Sequence, residues 1–451
     1  MLEIIGSVPL IGPAITLILP FVFVLSIVVF IHEYGHYIVG RWCGIHAETF
    51  SVGFGRVLTS WTDKRGTKWQ IAAIPLGGYV KFLGDMNPAS THSETIDEAL
   101  TDVEKSRYFE HAKLYKRALT VLAGPMANFI LSILVFAALV MYLGKPTDKP
   151  IIGKVHPAVS QNFDLLEGDV IRSINGIEIA ENGALATFLD TKNPPQFMPY
   201  EIERDGVVKT VNGPFPFLAI VGSVMPVSPA SKAGLQENDL ILSFDEKPVS
   251  SFGQLRDLIF SSEPAAREIS VLRNGETLTL SIYPRVREFQ SADGGFEKQV
   301  SIGVVSGSAF ATPTEAVGLF EATKIGAVRT WSVLTGSVQS IKMIIGGQIS
   351  AKNLQGPVGI AQVSGDMAKR SFTDLIALIA VISTSIGFLN LLPIPILDGG
   401  HLVMFAYQAL TRRKPNAAFL HYSMVLAMSL LLTLMVFVTF NDIKRLVLYW
   451  T

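Results

Sequence analysis

His32, Glu33 and His36 stand together in His32-Glu33-Tyr34-Gly35-His36, directly after a run from Ile4 to Ile31 that holds no charged residue. On a helix, positions i and i+4 share a face, so the two imidazoles can hold one zinc ion. Glu33 lies beside them, where a carboxylate can take a proton from an activated water. Ionisable groups at membrane depth are costly and mark function by default. The bland alternative is a histidine pair packed against polar neighbours. It leaves three ionisable groups in an apolar span without a reason.

A hydrolytic zinc needs a third protein ligand and an open fourth position. From Leu375 to Thr411 the chain has no Lys, Arg or Glu, and its only acid is Asp398. That residue stands near the end of Asn390-Leu391-Leu392-Pro393-Ile394-Pro395-Ile396-Leu397-Asp398-Gly399-Gly400. Pro393 and Pro395, spaced by one residue, cannot continue a regular helix, so a break is expected here. Backbone groups freed at membrane depth are tolerated only around a cavity or another protein segment. A broken helix that presents one carboxylate to a cavity suits a metal ligand. His401 is the rival third ligand. A lone His near a span end is more often a packed residue, so Asp398 leads.

The two signatures, HExxH in a first span and NxxPxPxxDG in a third, resemble those of the site-2 protease family of intramembrane zinc metalloproteases. The likeness in module order covers essentially the whole chain. The resemblance implies His32, His36 and Asp398 as zinc ligands, Glu33 as the catalytic base and Asn390 as a contact to the substrate backbone. It also implies that the break at Pro393 and Pro395 and the Gly53-Phe54-Gly55 element lie along the substrate path. The implied substrate is a single-span membrane protein, such as an anti-sigma factor already trimmed outside the membrane, or a remnant signal peptide. The implied location is a bacterial inner membrane.

Composition agrees with a membrane protein. Of 451 residues, 49% are hydrophobic and 17% charged, and the mean hydropathy is +0.40. A net charge of −1 gives no bulk attraction to nucleic acid. Cys43 is the only cysteine, which excludes an intrachain disulfide and a cysteine-based zinc site. Four segments reach spanning length: about Ile11–Gly40 with a kink expected at Pro20, about Leu119–Leu143, one from about Leu375 into the break, and about Tyr422–Phe440. The first lacks a basic leader and runs into the histidine motif, so it does not read as a cleavable signal peptide. Lys and Arg crowd residues 41–117 and recur at Arg412, Arg413 and Lys414. Both segments therefore read as cytoplasmic, with both termini and residues 145–370 on the periplasmic side. His36 precedes Arg41 by five residues, which sets the metal ~7–8 Å inside the cytoplasmic boundary.

The expected fold is an α-helical membrane protein with four transmembrane helices, a membrane-associated β-hairpin region and a periplasmic tandem of PDZ-like α+β domains. Residues 1–149 hold the first two spans and the β region at about 49–82. Residues 150–220 and 221–307 form the tandem, 308–370 a helical linker on the membrane surface, and 371–451 the last two spans. The tandem rests on a repeat, in which Gly168–Gly176 parallels Asn238–Glu246 as turn, alternating strand and turn. Ser228–Leu235 resembles the helix signature of bacterial PDZ domains, whereas the first copy lacks the Ala-Gly-Leu triplet. PDZ folds can take a chain terminus by strand addition. No basic cluster marks a carboxylate pocket here, so a tandem that only excludes bulky substrates is an equal reading.

Three smaller features need positions in the fold. Thr49–Phe82 alternates as strands around Lys64-Arg65-Gly66, and its edge can pair with an unwound substrate or be a plain hairpin. Gly124-Pro125-Met126-Ala127-Asn128 either lines the site or makes a small-residue packing contact. Thr314–Ile345 has helical spacing and suits a helix on the outer membrane surface or a packed linker. Other classes fit less well. An intramembrane aspartyl protease needs two carboxylates, and Asp398 stands alone. A zinc transporter spreads its ligands through several depths. A PDZ scaffold without proteolytic activity has no use for Glu33.

Overall fold

The computed structural model describes residues 12–84, 105–160, 163–191, 193–195, 197–290, 296–351, 354–413 and 415–450. The expected start of the first span at Ile11, and Lys414, lie outside these residues. The chain divides into two compact units, Met1–Val140 with Gly318–Ile345 and Ser350–Leu448, and Met141–Val317 with two short pieces.

The first unit combines helices with one sheet. Helix α1 runs Gly12–Trp42, α2 Leu114–Leu143, α3 Leu319–Ile345, α4 Pro357–Arg370, α5 Phe372–Asn390, α6 Asp398–Thr411 and α7 Ala417–Trp450. Among the described residues four stretches are long and apolar enough to cross a membrane: Ile15–Trp42, Leu114–Leu143, Phe372–Asn390 and Ala418–Arg445. Pro20 and Pro125 sit inside α1 and α2 without ending them. The third span ends where the sequence requires, with Leu391 closing α5 and Pro393 and Pro395 in the turn before α6.

Polar seams hold these helices together. Ser132 of α2 accepts from Thr384 of α5 at 2.7 Å and meets Thr330 of α3 at 3.0 Å. Ala322, Gly326 and Thr330, four residues apart, form the buried stripe of α3, while Val328 and Trp331 are exposed. The packed-linker reading thus describes one face of α3. The helix begins at Leu319, not at Thr314. Thr314–Glu315 instead pairs with Lys145–Pro146 as a short ladder. Asp442 of α7 is buried and accepts the amides of Gly356 and Gly359 at 2.9 and 2.8 Å. A carboxylate there satisfies free N–H groups at the start of α4 and complements its dipole.

Two long bent strands, β1 (Ala47–Thr62) and β2 (Lys68–Phe82), make one sheet. Residues 49–52 have partners on both sides, Gly78–Lys81 on one and Lys68–Ile71 on the other, while Val57–Thr62 pairs with Lys68–Ala72. The alternating pattern therefore folds back on itself, and residues 78–82 form one edge. Gly53 and Gly55 take positive φ, 92° and 85°, where β1 bends. Asp63 locks the turn by accepting from the amides of Arg65 and Thr67, from Trp69 Nε1 and from Tyr37 of α1.

The second unit repeats itself. One four-stranded sheet orders as Ile177–Glu178, Val170–Ile174, Met198–Arg204, Val207–Gly213, and the other as Lys247–Pro248, Leu240–Phe244, Arg267–Arg273, Glu276–Ile282. Each has a short helical segment after its second strand, Asn182–Phe188 and Phe252–Phe260. Each holds a buried aspartate against an arginine on the strand beside it. Arg204 Nε is 2.7 Å from Asp169, and Arg273 Nε is 2.7 Å from Asp239. In both, the same aspartate accepts a loop amide, from Leu166 or Gln236, at 2.8 Å. Ser228 caps the helix Pro229–Ala233, which ends at Gly234 with φ 79°.

Candidate metal centre

His32 and His36 lie one turn apart on α1, so their rings meet on one face, with centroids 4.8 Å apart. Asp398 opens α6, where the free amides and the positive helix end favour a carboxylate. The break between α5 and α6 turns this carboxylate toward α1. His32 Nε2 to Asp398 Oδ2 is 3.2 Å, His36 Nε2 to the same oxygen is 3.4 Å, and the two Nε2 atoms are 3.2 Å apart.

These three distances test the fit of a metal. Ligands at about 2.0–2.1 Å around a tetrahedral zinc lie about 3.3 Å from one another. The triangle of donor atoms has that edge. Its chemistry agrees. Asp398 Oδ2 is buried and has no hydrogen-bond donor besides the two imidazoles that face it. His36 Nδ1 faces the Thr120 carbonyl at 2.9 Å, so this nitrogen carries the proton and Nε2 keeps a lone pair. Electron-pair donors converging in a buried space repel one another unless a cation sits among them. Among the described residues, this is the one cluster of His, Cys, Asp and Glu able to hold a metal ion.

The remaining residues take their places around this triangle. Glu33 is beside the sheet edge. An added Cβ at Gly78 would lie 3.3 Å from Glu33 Cγ and 3.1 Å from Val29 Cγ1. A strand without a side chain at 78 can therefore press against α1 at the level of Glu33. Asn390 ends α5 with its Nδ2 3.3 Å from His32 Nε2. His401 is not among the converging donors, and its ring lies beside Phe405. Pro393 is exposed on the turn, and Phe54 stacks on Tyr79 with centroids 6.3 Å apart. Neither makes a described contact with the three donors.

The contribution of α2 was open in the sequence. Gly124 and Asn128 are site neighbours. An added Cβ at Gly124 would stand 2.2 Å from His36 Nε2, so only glycine lets α2 approach this ring. Asn128 is fully buried with its side-chain amide 3.2 Å from His32 Nδ1. The Thr120 carbonyl was not read as functional. Its signal is the spacing of Thr120, Gly124, Asn128 and Ser132, which marks one small or polar stripe on an apolar helix.

Comparison with known proteins agrees with this geometry. The family model described as Peptidase family M50 matches residues 20–434. A protein of Rhizobium meliloti (strain 1021) with a provisional name as a zinc metalloprotease is 35% identical over 429 residues, 94% of this chain and 96% of the relative. Metalloprotease MmpA of Caulobacter vibrioides is 32% identical over 447 residues, 94% of each chain. The regulator of sigma-E protease RseP of Salmonella typhimurium (strain 14028s / SGSC 2262) is 29% identical over 453 residues, 94% of this chain and 98% of the relative. With its apolar spans, its HExxH helix and this match across nearly its full length, the chain belongs to peptidase family M50 and is a multi-pass membrane metalloendopeptidase of the site-2 type.

Proposed function

We propose that this protein cuts a peptide bond within the transmembrane segment of single-span membrane proteins, using zinc held by His32, His36 and Asp398. The observation that carries the reading is the triangle of donor atoms with edges of 3.2, 3.2 and 3.4 Å, built on apolar helices. Bound zinc supplies Lewis acidity toward the scissile carbonyl and toward the attacking water. Glu33, adjacent to a ligand and beside the sheet edge, takes the proton of that water and passes it to the leaving amine. Asn390 stands over the same centre and holds the substrate backbone by its side-chain amide. A helical peptide bond is shielded by its own hydrogen bonds, so the substrate must unwind first. The edge 78–82, the bend at Gly53-Phe54-Gly55 and the turn at Pro393 and Pro395 supply replacement backbone partners.

The likeness to a protease named for regulating sigma-E supports a trimmed anti-sigma factor as the substrate. Remnant signal peptides offer the same chemistry. The repeated sheets at 150–220 and 221–307, with matched Asp–Arg pairs, support a tandem of PDZ-like domains. The proposed domain limits are 1–149, the two repeats, a linker at 308–370 whose helices begin at Leu319, and 371–451. Lys and Arg at 41–117 and 412–414 support a cytoplasmic position for those segments, a metal centre near that face and a periplasmic tandem in a bacterial inner membrane. The test is cleavage of a single-span substrate by the purified chain. Chelation should abolish the cut and zinc should restore it, with mass spectrometry placing the new termini inside the apolar segment. A cut outside that segment, or one indifferent to chelation, contradicts the proposal.

A further inference from the structure

The outer partners of both histidines come from one stripe of α2. Thr120, Gly124 and Asn128 are spaced by four and share a face. The Thr120 carbonyl accepts from His36 Nδ1 at 2.9 Å, and Gly124 leaves room for the ring. His32 is treated differently. Its Nδ1 meets the Asn128 side chain at 3.2 Å, with the amide NH2 turned toward the ring and Oδ1 buried without a partner.

An imidazole that holds a metal through Nε2 carries its proton on Nδ1, and that proton needs an acceptor. With the NH2 turned inward, two donors face each other. A half-turn of the amide exchanges its oxygen and nitrogen with almost no change in shape. The oxygen then accepts from Nδ1–H of His32, and the NH2 takes the position where the oxygen found no donor. Asn128 is fully buried, so no solvent competes for this bond. Its backbone is fixed as well, because Ser383 of α5 donates to the Asn128 carbonyl at 2.8 Å.

We propose that Asn128 is a positioning residue for the metal centre. Its side-chain oxygen accepts the Nδ1–H of His32 and keeps the Nε2 lone pair aimed at the metal. Helix α2 thereby orients both histidines, one through a backbone carbonyl and one through a side chain. The inference rests on His32 as a ligand and adds how that ligand is set.

The test is zinc affinity of the full chain in detergent, measured by competition with a chromophoric chelator. Asn128→Leu, which has the same branched shape but is bulkier and offers no acceptor, should weaken zinc binding about 10–100-fold. Asn128→Asp keeps an acceptor and removes the NH2, and should lose far less affinity than the leucine variant. An unchanged affinity in Asn128→Leu overturns the proposal. So does a loss in Asn128→Asp as large as that expected for leucine, because it would mean that His32 needs the NH2. If Asn128→Leu does not fold, the aspartate variant decides alone. Failure of the underlying reading looks different: the parent chain binds no zinc, or His32→Ala binds it as well as the parent.

Discussion

At the residue scale, the centre depends on what is absent as much as on what is present. The donor triangle needs a ring at 36 pressed against α2, and that contact exists because residue 124 has no side chain. Gly124→Ala places a methyl 2.2 Å from His36 Nε2, where the ring and the metal compete for the space. Zinc affinity should fall by about tenfold or more, with helix content and solubility unchanged. Chelator competition beside circular dichroism measures both, and an alanine variant with parent-like affinity contradicts the placement of His36. HExxH was legible in the sequence because its chemistry is local, two rings on one turn with a carboxylate between. Asp398 was legible as the only acid between Leu375 and Thr411. The roles of Thr120, Gly124 and Asn128 toward the histidines were not, because those contacts join residues 84 to 96 positions apart.

At the element scale, the spans and the break between α5 and α6 follow from run length and from proline. The return of β1 and β2 into one folded sheet does not. Period-2 alternation says that a strand has two faces, and gives no account of which neighbours sit at its edges. The start of α3 was misread because apolar spacing continues through Thr314–Gly318 while the backbone there is already paired with Lys145–Pro146. The repeat of the second unit was legible as a turn and strand pattern, but its Asp–Arg pair was not, since each arginine lies more than thirty residues after its aspartate.

That pair gives a prediction. Burial alone would raise the Asp169 carboxyl, but the Arg204 guanidinium and the Leu166 amide outweigh it and hold the group below its ordinary value. A depressed carboxylate stabilises the fold above its unfolded pKa of about 3.9 and loses that contribution as pH falls through the folded value. The first repeat should therefore keep this bond through mildly acid conditions and lose it only in strong acid. Arg204→Ala leaves the buried Asp169 without its cation, at a cost of about 3 kcal/mol. Limited proteolysis should then cut residues 150–220 faster than in the parent, while a parent-like cleavage rate would show that the pair carries no stability.

At the scale of the whole molecule, the proposed topology rests on four spans and the distribution of Lys and Arg. Cys43 is the only natural thiol, so a Cys43→Ser background makes each introduced cysteine a single reporter. A cysteine at Lys154 or Lys247 should react with a membrane-impermeant thiol reagent in cells whose outer membrane has been made permeable. A cysteine at Arg413 should react only after the inner membrane is lysed. The reverse pattern would invert the assigned faces and move the metal centre to the opposite side of the bilayer.

The most direct measurement of the central claim is zinc content and substrate cleavage on the same preparations of the full chain. Glu33→Gln removes the base and leaves the donor triangle, so it should hold about one zinc per chain like the parent and cut nothing detectable. Alanine at His32, His36 or Asp398 should lose both metal and cleavage. Parent-like cleavage by Glu33→Gln, or full zinc content in Asp398→Ala, would contradict a metal centre built from α1 and α6.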